Sequence, residues 1–538
     1  MSSRVRQRRQ GASLVPFSAI AAVFLALSVV LSGGVAYQFH RMSYPSVGLA
    51  DSVGAKPTYL VLLVLDGARP DYFHLTALPH VDALRAQGVE YDRAWAGILE
   101  SETPSGHATI STGSTPSRDG LLGFNWINSV NDAVRLFDPN VVRAGGIEKV
   151  MQQAGAPTIA SAFKRRYPNA TVVAVSGHKY YAADPLGGPK ADYILYYNGD
   201  AQGHYVPTAI PGHVPPASVF EGAGLTWPST TMPPGGEDTI AVKLALSAFT
   251  HLHQQVTLVN LPEFDWPLGH VYGSDVAKTR YLMQAFDGDL GHIEDAYRKA
   301  GVLDKTLFVI TADHGMMPLR YQIPDSVLDN AVTQAGTTSP ETTYQSAGYI
   351  WLQDPSKAQM VADNIVKAKN SHIQSVYFKV PGSSGGTYVL DSGLPIPADV
   401  DRANQVLLQS FLGGNAPSVV AFCTEDSAFV TKGAETWKAN HGGGSWASQH
   451  VPLILAGPGV AQAGLSHAPA RLEDVAPTIL SIMGASPKGM QGIALADAMQ
   501  YPTGRQVSAQ AAANKALQPV VEALMKQAGS EARSGGRH

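Results

Sequence analysis

The sequence predicts an α/β fold in which a central, mostly parallel sheet lies between helices, with a cap inserted late in the chain. Three observations carry this expectation. Short, β-branched apolar runs alternate with stretches of helical period such as 81–87 and 279–299, the rhythm of a layered sheet. Five runs, 59–65, 171–175, 256–261, 307–311 and 451–456, read as buried strands. Several of them end at an Asp or His, and sites in α/β folds gather at the carboxyl edge of the sheet. Asp66 ends the first run, Asp265 and His270 follow the run at 256–261, and Asp313 and His314 follow the run at 307–311. Thr103 stands in Glu-Thr-Pro-Ser-Gly-His107, and His441 opens a glycine run just before the last strand. Oxygen and imidazole groups collected this way point to a metalloenzyme.

Taken in order, the chain begins with Arg4, Arg6, Arg8 and Arg9, then has no charged residue from 11 to 39. An apolar core at 14–31 is close to the ~20 residues that span a bilayer, and the basic flank predicts a cytoplasmic N-terminus. Residues 1–36 therefore read as a signal anchor or a signal peptide, with Gly34-Val-Ala36 offering a small-x-small cleavage site. The catalytic part is then expected outside the cytoplasm, membrane-anchored or secreted. Residues 37–57 form a linker, 58–323 the first part of the core, 324–440 the cap, and 441–505 the second part of the core. Within the cap, 348–352 and 376–380 read as strands and 355–369 as a helix. The Gly- and Pro-rich stretch 198–236 reads as a long functional or mobile loop. At the C-terminus, 506–526 reads as a helix and 528–538 as a disordered tail.

Composition narrows the function. The 538 residues are 45% apolar and 15% charged, enough for a sizeable core. A net charge of -4 gives no case for a nucleic-acid polymer as partner, since phosphate-backbone binders are basic. Cys423 is the only cysteine, which excludes an internal disulfide and a multi-thiolate zinc site.

The local words sharpen the picture. Val64-Leu-Asp-Gly-Ala-Arg-Pro-Asp71, Thr103-Pro-Ser-Gly-His-Ala-Thr-Ile-Ser-Thr-Gly113, Thr311-Ala-Asp-His-Gly315, and His441-Gly followed by His450-Val-Pro stand in that order. Together they resemble the alkaline phosphatase superfamily, most closely its type I phosphodiesterase/nucleotide pyrophosphatase branch and the related phosphate-irrepressible alkaline phosphatases. The resemblance implies an alkaline-phosphatase-like fold and two zinc ions. One is expected on Asp66, Thr103, Asp313 and His314, and the other on Asp265, His270 and His441. It also implies a covalent phospho-threonine. Thr103 is the nucleophile by motif order, since it precedes His107 by four positions and is followed by Thr112-Gly113. Ser114-Thr-Pro-Ser-Arg118 matches the short sulfatase word and is the rival, although the flanking Thr-Gly lies on its wrong side. Asp119 stands where the branch has a histidine. Asn125 resembles the residue that steadies the phosphoryl oxygens, one position later than the family spacing. Four residues separate Asp265 from His270 where three are common, so a bulge is expected there. His450 and His107 read as structural or supporting groups.

Substrate contacts are expected from Asn125, Lys179 and Tyr180. Phosphate-irrepressible monoesterases have a Lys-x-Arg pair, but Ser176-Gly-His-Lys-Tyr-Tyr181 has no arginine. That makes a small phosphodiester or pyrophosphate the expected substrate. A phosphomonoester is the next reading, with phosphonate or sulfate esters and a non-catalytic tethered binding protein behind it.

Overall fold

The computed structural model describes residues 56–534 except 129–131, 139–144, 201, 225–226, 229–234, 383–384 and 431–432. The expected signal anchor or signal peptide lies outside the described residues, as does most of the linker. Among the described residues no helix is long and apolar enough to cross a membrane.

A ten-stranded sheet forms the centre. Its middle strands are Thr306–Thr311, Tyr59–Leu65, Val256–Leu261, Val172–Ser176 and Tyr193–Gly199, each parallel to the next. Residues 60–65, 172–176, 256–261 and 306–311 are buried throughout. A strand covered on both faces has no solvent side, and so its sequence is apolar without alternation. Leu453–Ala456 runs antiparallel beside Thr306–Thr311 and leads through Gly88–Tyr91 to the edge strand Gly464–Ser466. The sheet is therefore mostly parallel, as the sequence predicts.

Part of the Gly- and Pro-rich stretch extends this sheet. His204–Ala209 pairs antiparallel with Tyr193–Gly199, and a short helix, Ala217–Ala223, follows. The stretch read as a loop is thus partly strand and helix, because backbone pairing to an open sheet edge outweighs the local turn-forming composition.

The stretch expected to form the cap carries its own antiparallel sheet, in the order Glu341–Tyr344, Ala347–Trp351, Val419–Cys423, Ile373–Val380, Thr387–Leu390. Successive side chains of its central strand point to opposite faces. Val419, Ala421 and Cys423 join Leu328, Val361 and Ile365 of the helices Ser326–Gln334 and Ala358–Lys367. Val420 and Phe422 join Trp95, Leu99, Ala108, Trp126, Val520 and Leu524. This second face fuses the cap sheet to the core and to the C-terminal helix, so the cap is a fixed wall. Burying each such aliphatic or aromatic side chain is worth roughly 1.5–3 kcal/mol.

That C-terminal helix spans Gly504–Ser534, longer than expected and taking in 528–534 of the tail read as disordered, while 535–538 lie outside the described residues. Ala, Lys, Gln, Glu and Arg dominate the stretch, and their helix propensity carries the helix past the residues that pack.

Candidate metal centre

Three adjacent parallel strands deliver their carboxyl ends to one place. Asp66 directly follows the strand Tyr59–Leu65, and Gly67, at φ 75°, turns the chain so that its N–H donates to Asp313 Oδ1 at 3.1 Å. Asp313 and His314 follow Thr306–Thr311. Asp265 comes after a short turn, Pro262–Phe264, at the end of Val256–Leu261. The expected bulge is a wide helical turn, Asp265–Gly269, within which Trp266 adopts extended angles and the His270 N–H reaches Asp265 O at 3.1 Å. His441 arrives from far along the chain. Met317–Pro318, just past His314, pairs antiparallel with Ala439–Asn440 and so draws His441 to the same edge.

Two groups of donor atoms result, Asp66 with Asp313 and His314, and Asp265 with His270 and His441. In each group the atoms lie within 4.8 Å of one another, and all six residues are buried. The His314 and His441 rings stack at 3.7 Å, which sets the groups side by side. Each sequence-predicted Asp and His ligand is thus in one group or the other.

The donors fit divalent cations. The three Nδ1 atoms each meet a backbone carbonyl: His270 with Ala439 O at 2.9 Å, His314 with Gly315 O at 2.9 Å, and His441 with Ser101 O at 3.0 Å. A carbonyl only accepts, so each Nδ1 carries the proton and each Nε2 turns a lone pair into its group. There, His270 Nε2 lies 3.1 Å from Asp265 Oδ1 and His314 Nε2 lies 3.3 Å from Asp313 Oδ2. Asp265 Oδ1, Asp313 Oδ2 and His314 Nε2 are buried without a hydrogen-bond partner. Acceptors that face acceptors out of water require a cation between them.

Charge is concentrated accordingly. Burial and the nearby Asp313 raise the Asp66 pKa. Burial also pushes on Asp265, but Lys179 and then His270 overcome it and hold this carboxyl well below its usual range. The opposite outcomes follow from geometry, since Lys179 Nζ is 2.6 Å from Asp265 Oδ2 and 3.0 Å from Asp66 Oδ1. Those two carboxylates hold the Lys179 ammonium well above its usual value against the effect of burial. Burial, then His314, keep the His441 pKa well below that of a free imidazole, leaving it neutral as a ligand must be.

Thr103 opens the helix Thr103–Thr112, and its hydroxyl donates to Asp66 Oδ1 at 3.4 Å. The positive end of the helix faces the site and favours an anion. Ser114 lies past the other end of this ten-residue helix, about 15 Å away at 1.5 Å per residue. Its hydroxyl donates to Thr112 O at 3.3 Å, so the sulfatase-like alternative is remote from both groups. Asp119 accepts from Thr112 Oγ1 and from the Leu121 N–H, a turn-holding role. His450 bonds to Asp92 O, away from both groups. Gly106 is where the helix meets the metal loop, because a Cβ there would come within 2.6 Å of Asp313 O.

The expected substrate residues are distributed less evenly. Asn125 lies on the strand Asn125–Ile127, and its neighbour Phe124 donates a backbone N–H to Glu102 Oε2 at 2.7 Å, which ties this strand to the start of the Thr103 helix. Lys179 sits between the two groups rather than beyond them. The Tyr180 hydroxyl is taken by Leu136 O at 2.9 Å. It is the half-buried Tyr181, next along the helix Tyr180–Gly187, whose phenol feels Lys179, Asp265 and Asp66.

Supporting residues were missed in the sequence. Asn260 Nδ2 donates to Asp66 Oδ2 at 2.9 Å, while its Oδ1 accepts from Ser176 Oγ at 2.6 Å. His107, read as a supporting group, donates from Nδ1 to Thr103 O at 2.7 Å and has Asn260 Nδ2 3.0 Å from its Nε2. Glu102 also accepts from Gln345 Nε2 at 2.7 Å, and burial pushes its pKa to about 7. The only signal for Glu102 was its place directly ahead of Thr103. Asn260 looked like an ordinary strand residue, and Ser176 stood only at the head of the segment compared with the Lys-x-Arg pair.

Two outcomes follow from this geometry. Calorimetric titration of chelator-stripped protein with a divalent ion should show two sites, and His270→Ala or Asp66→Ala should each lose one; an unchanged stoichiometry in both would contradict the assignment. Gly106→Ala should force the helix off the Asp313 loop, at about 1–3 kcal/mol for an overpacked site, seen as a lower melting temperature.

Comparison with known proteins agrees with the geometry. A family model described as type I phosphodiesterase/nucleotide pyrophosphatase matches residues 60–445. The alkaline phosphatase PhoK of Sphingomonas sp is 23% identical over 394 residues, 61% of this chain and 70% of PhoK. The crystal structure of wild-type alkaline phosphatase PafA superposes with a TM-score of 0.61 at 15% identity, over 83% of this chain and 99% of PafA. An inactive variant of murine ectonucleotide pyrophosphatase/phosphodiesterase 5, in complex with AMP, gives 0.58 at 14% identity, over 83% of this chain and 100% of that one. These structures share the fold. The family match takes in every residue of both groups, from Asp66 to His441, and with it the chain belongs to the type I phosphodiesterase/nucleotide pyrophosphatase family.

Proposed function

We propose that this hydrolase cleaves phosphodiester or pyrophosphate bonds of a small substrate through a phospho-Thr103 intermediate, with zinc in both groups. The observation that carries the proposal is the placement of Thr103 Oγ1 against Asp66 at the N-terminus of a helix, beside two adjacent sets of Asp and His donors. Mixed oxygen and imidazole donors without thiolate suit zinc. Zinc held by Asp66, Thr103, Asp313 and His314, and by Asp265, His270 and His441, would supply Lewis acidity for the nucleophile and for the leaving oxygen.

The residues of the chain supply the rest. The Thr103 oxygen attacks phosphorus as the bond to the leaving oxygen breaks, and water then cleaves the phospho-threonine. Asn125 and the first N–H groups of the Thr103 helix steady the non-bridging oxygens. Tyr181, rather than Tyr180, offers its ring and phenol beside Lys179. Export, and tethering or release at a membrane, rest on the arginines and uncharged stretch of 1–39.

Charge selects between diester and monoester. Lys179 is the only lysine or arginine found paired with these carboxylates among the described residues, and it is held by both Asp66 and Asp265. A terminal phosphate brings one more charge than a diester and would leave it without a cationic clamp. A missing charged hydrogen bond costs roughly 1.5–3 kcal/mol, about ten- to a hundredfold in rate. The names of PhoK and PafA favour the second reading, a phosphomonoesterase.

Two experiments decide. Thr103→Ala should lower kcat by several orders of magnitude with an unchanged fold by circular dichroism, whereas Thr103→Ser retains part of the rate; inactivation by Ser114→Ala instead would move the nucleophile. With one aryl leaving group throughout, kcat/KM on zinc-loaded protein should be higher for the diester than for the monoester. The reverse order would establish the phosphomonoesterase reading.

A further inference from the structure

One residue of the lengthened Asp265–His270 turn, Trp266, is displayed at the surface. Trp266 leaves the helical turn at φ -123° and ψ 118°, and 42% of it is exposed although both neighbouring ligands are buried. A second indole meets it. Trp437 lies 4.0 Å from the His270 ring and 6.4 Å, edge-on, from Trp266. Its mount is rigid, because the Lys438 N–H donates to His270 O at 2.8 Å and the Ala439 carbonyl receives His270 Nδ1. Two indoles thus flank one imidazole of the second donor group. Large aromatic surface held partly open beside a buried polar centre is the composition of a stacking site.

Which part of a substrate meets it follows from topology. Thr103 belongs with Asp66, in the first group. In an in-line displacement the leaving oxygen departs opposite the nucleophile, on the side of the other group. The indoles beside His270 therefore face the leaving group and not the part retained on phosphorus. Charges of both signs border the indoles, with Glu435 and Lys438 exposed beside Trp437, and Asp275 and Lys278 exposed after Tyr272, so the ring surface and not a net charge makes the ledge.

We propose that Trp266 and Trp437 form a stacking ledge that makes the enzyme selective for esters whose leaving group is a planar aromatic ring system. This rests on the reading of the site as a phosphodiesterase with Thr103 as nucleophile.

The test compares methyl phenyl phosphate with methyl 2-naphthyl phosphate, diesters with the same retained group and leaving groups of similar acidity. An added aromatic contact is worth roughly three- to tenfold in kcat/KM, and the wild-type protein should favour the naphthyl ester by about that factor. Trp266→Ala and Trp437→Ala should each bring the ratio toward one, and Trp266→Phe should keep most of it. The ratio does not depend on metal occupancy or on the folded fraction, which scale both esters alike. If Trp266→Ala is too unstable to assay, Trp437→Ala and Trp266→Phe decide. A wild-type ratio near one, or a ratio that survives both alanine substitutions, would overturn the ledge with the diesterase reading intact. Should the diesters be inert and the phenyl and 2-naphthyl monoesters be cleaved, the diesterase reading falls, and the same ratio on the monoesters supports or overturns the ledge.

Discussion

Three carboxylates, Asp66, Asp265 and Asp313, are held out of water at the edge of one sheet, and the rest of the site follows from the need to balance them. A buried anion without a partner costs several kcal/mol even after relaxation. One ammonium, that of Lys179, reaches two of the three. Burial and then repulsion from Asp313 raise the Asp66 pKa, while Lys179 and His270 depress that of Asp265 against its burial. What remains uncompensated is the set of atoms with no donor, Asp265 Oδ1, Asp313 Oδ2 and His314 Nε2. Cations are the compensation such a cluster accepts, and under the proposed mechanism the same charge would lower the pKa of the neighbouring Thr103 hydroxyl.

The fold builds this cluster by fixing directions. Parallel strands in continuous register bring Leu65, Leu261 and Thr311 to one edge, so that Asp66, Asp265 and Asp313 start from neighbouring positions. Backbone carbonyls of Ser101, Gly315 and Ala439 fix the histidine tautomers. These carbonyls come from three separate segments, and each must be in place before its imidazole can point inward. The cap contributes from outside the core, since Gln345 bonds to Glu102 immediately before Thr103. The start of the Thr103 helix is therefore braced from the cap sheet, whose buried faces are apolar.

Much of this was legible in the sequence because it depends on local signals. Uniformly apolar runs marked the buried strands, and an Asp or His directly after a strand marks a carboxyl-edge ligand. Thr103 was legible from the order of words around it. Residues that act through long-range geometry were not. Asn260 and Ser176 are small polar residues at strand ends, and only the pairing of Val256–Leu261 with Val172–Ser176 brings them together under Asp66. Tyr180 and Tyr181 could not be told apart, because which phenol faces the site depends on how the helix Tyr180–Gly187 is rotated against its neighbours. The long C-terminal helix was undercounted for a related reason: its packing stripe stops before its helix-forming composition does.

The central claim is that this charge-balanced cluster delivers the phosphoryl group to Thr103. Acid-quenching zinc-loaded protein during turnover of an aryl phosphodiester, followed by peptide mapping by mass spectrometry, tests it most directly. The account predicts a phosphoryl adduct on the peptide that contains Thr103, localised to that residue and absent from Thr103→Ala. An adduct on Ser114, or full turnover with no phosphorylated peptide at any quench time, would contradict it.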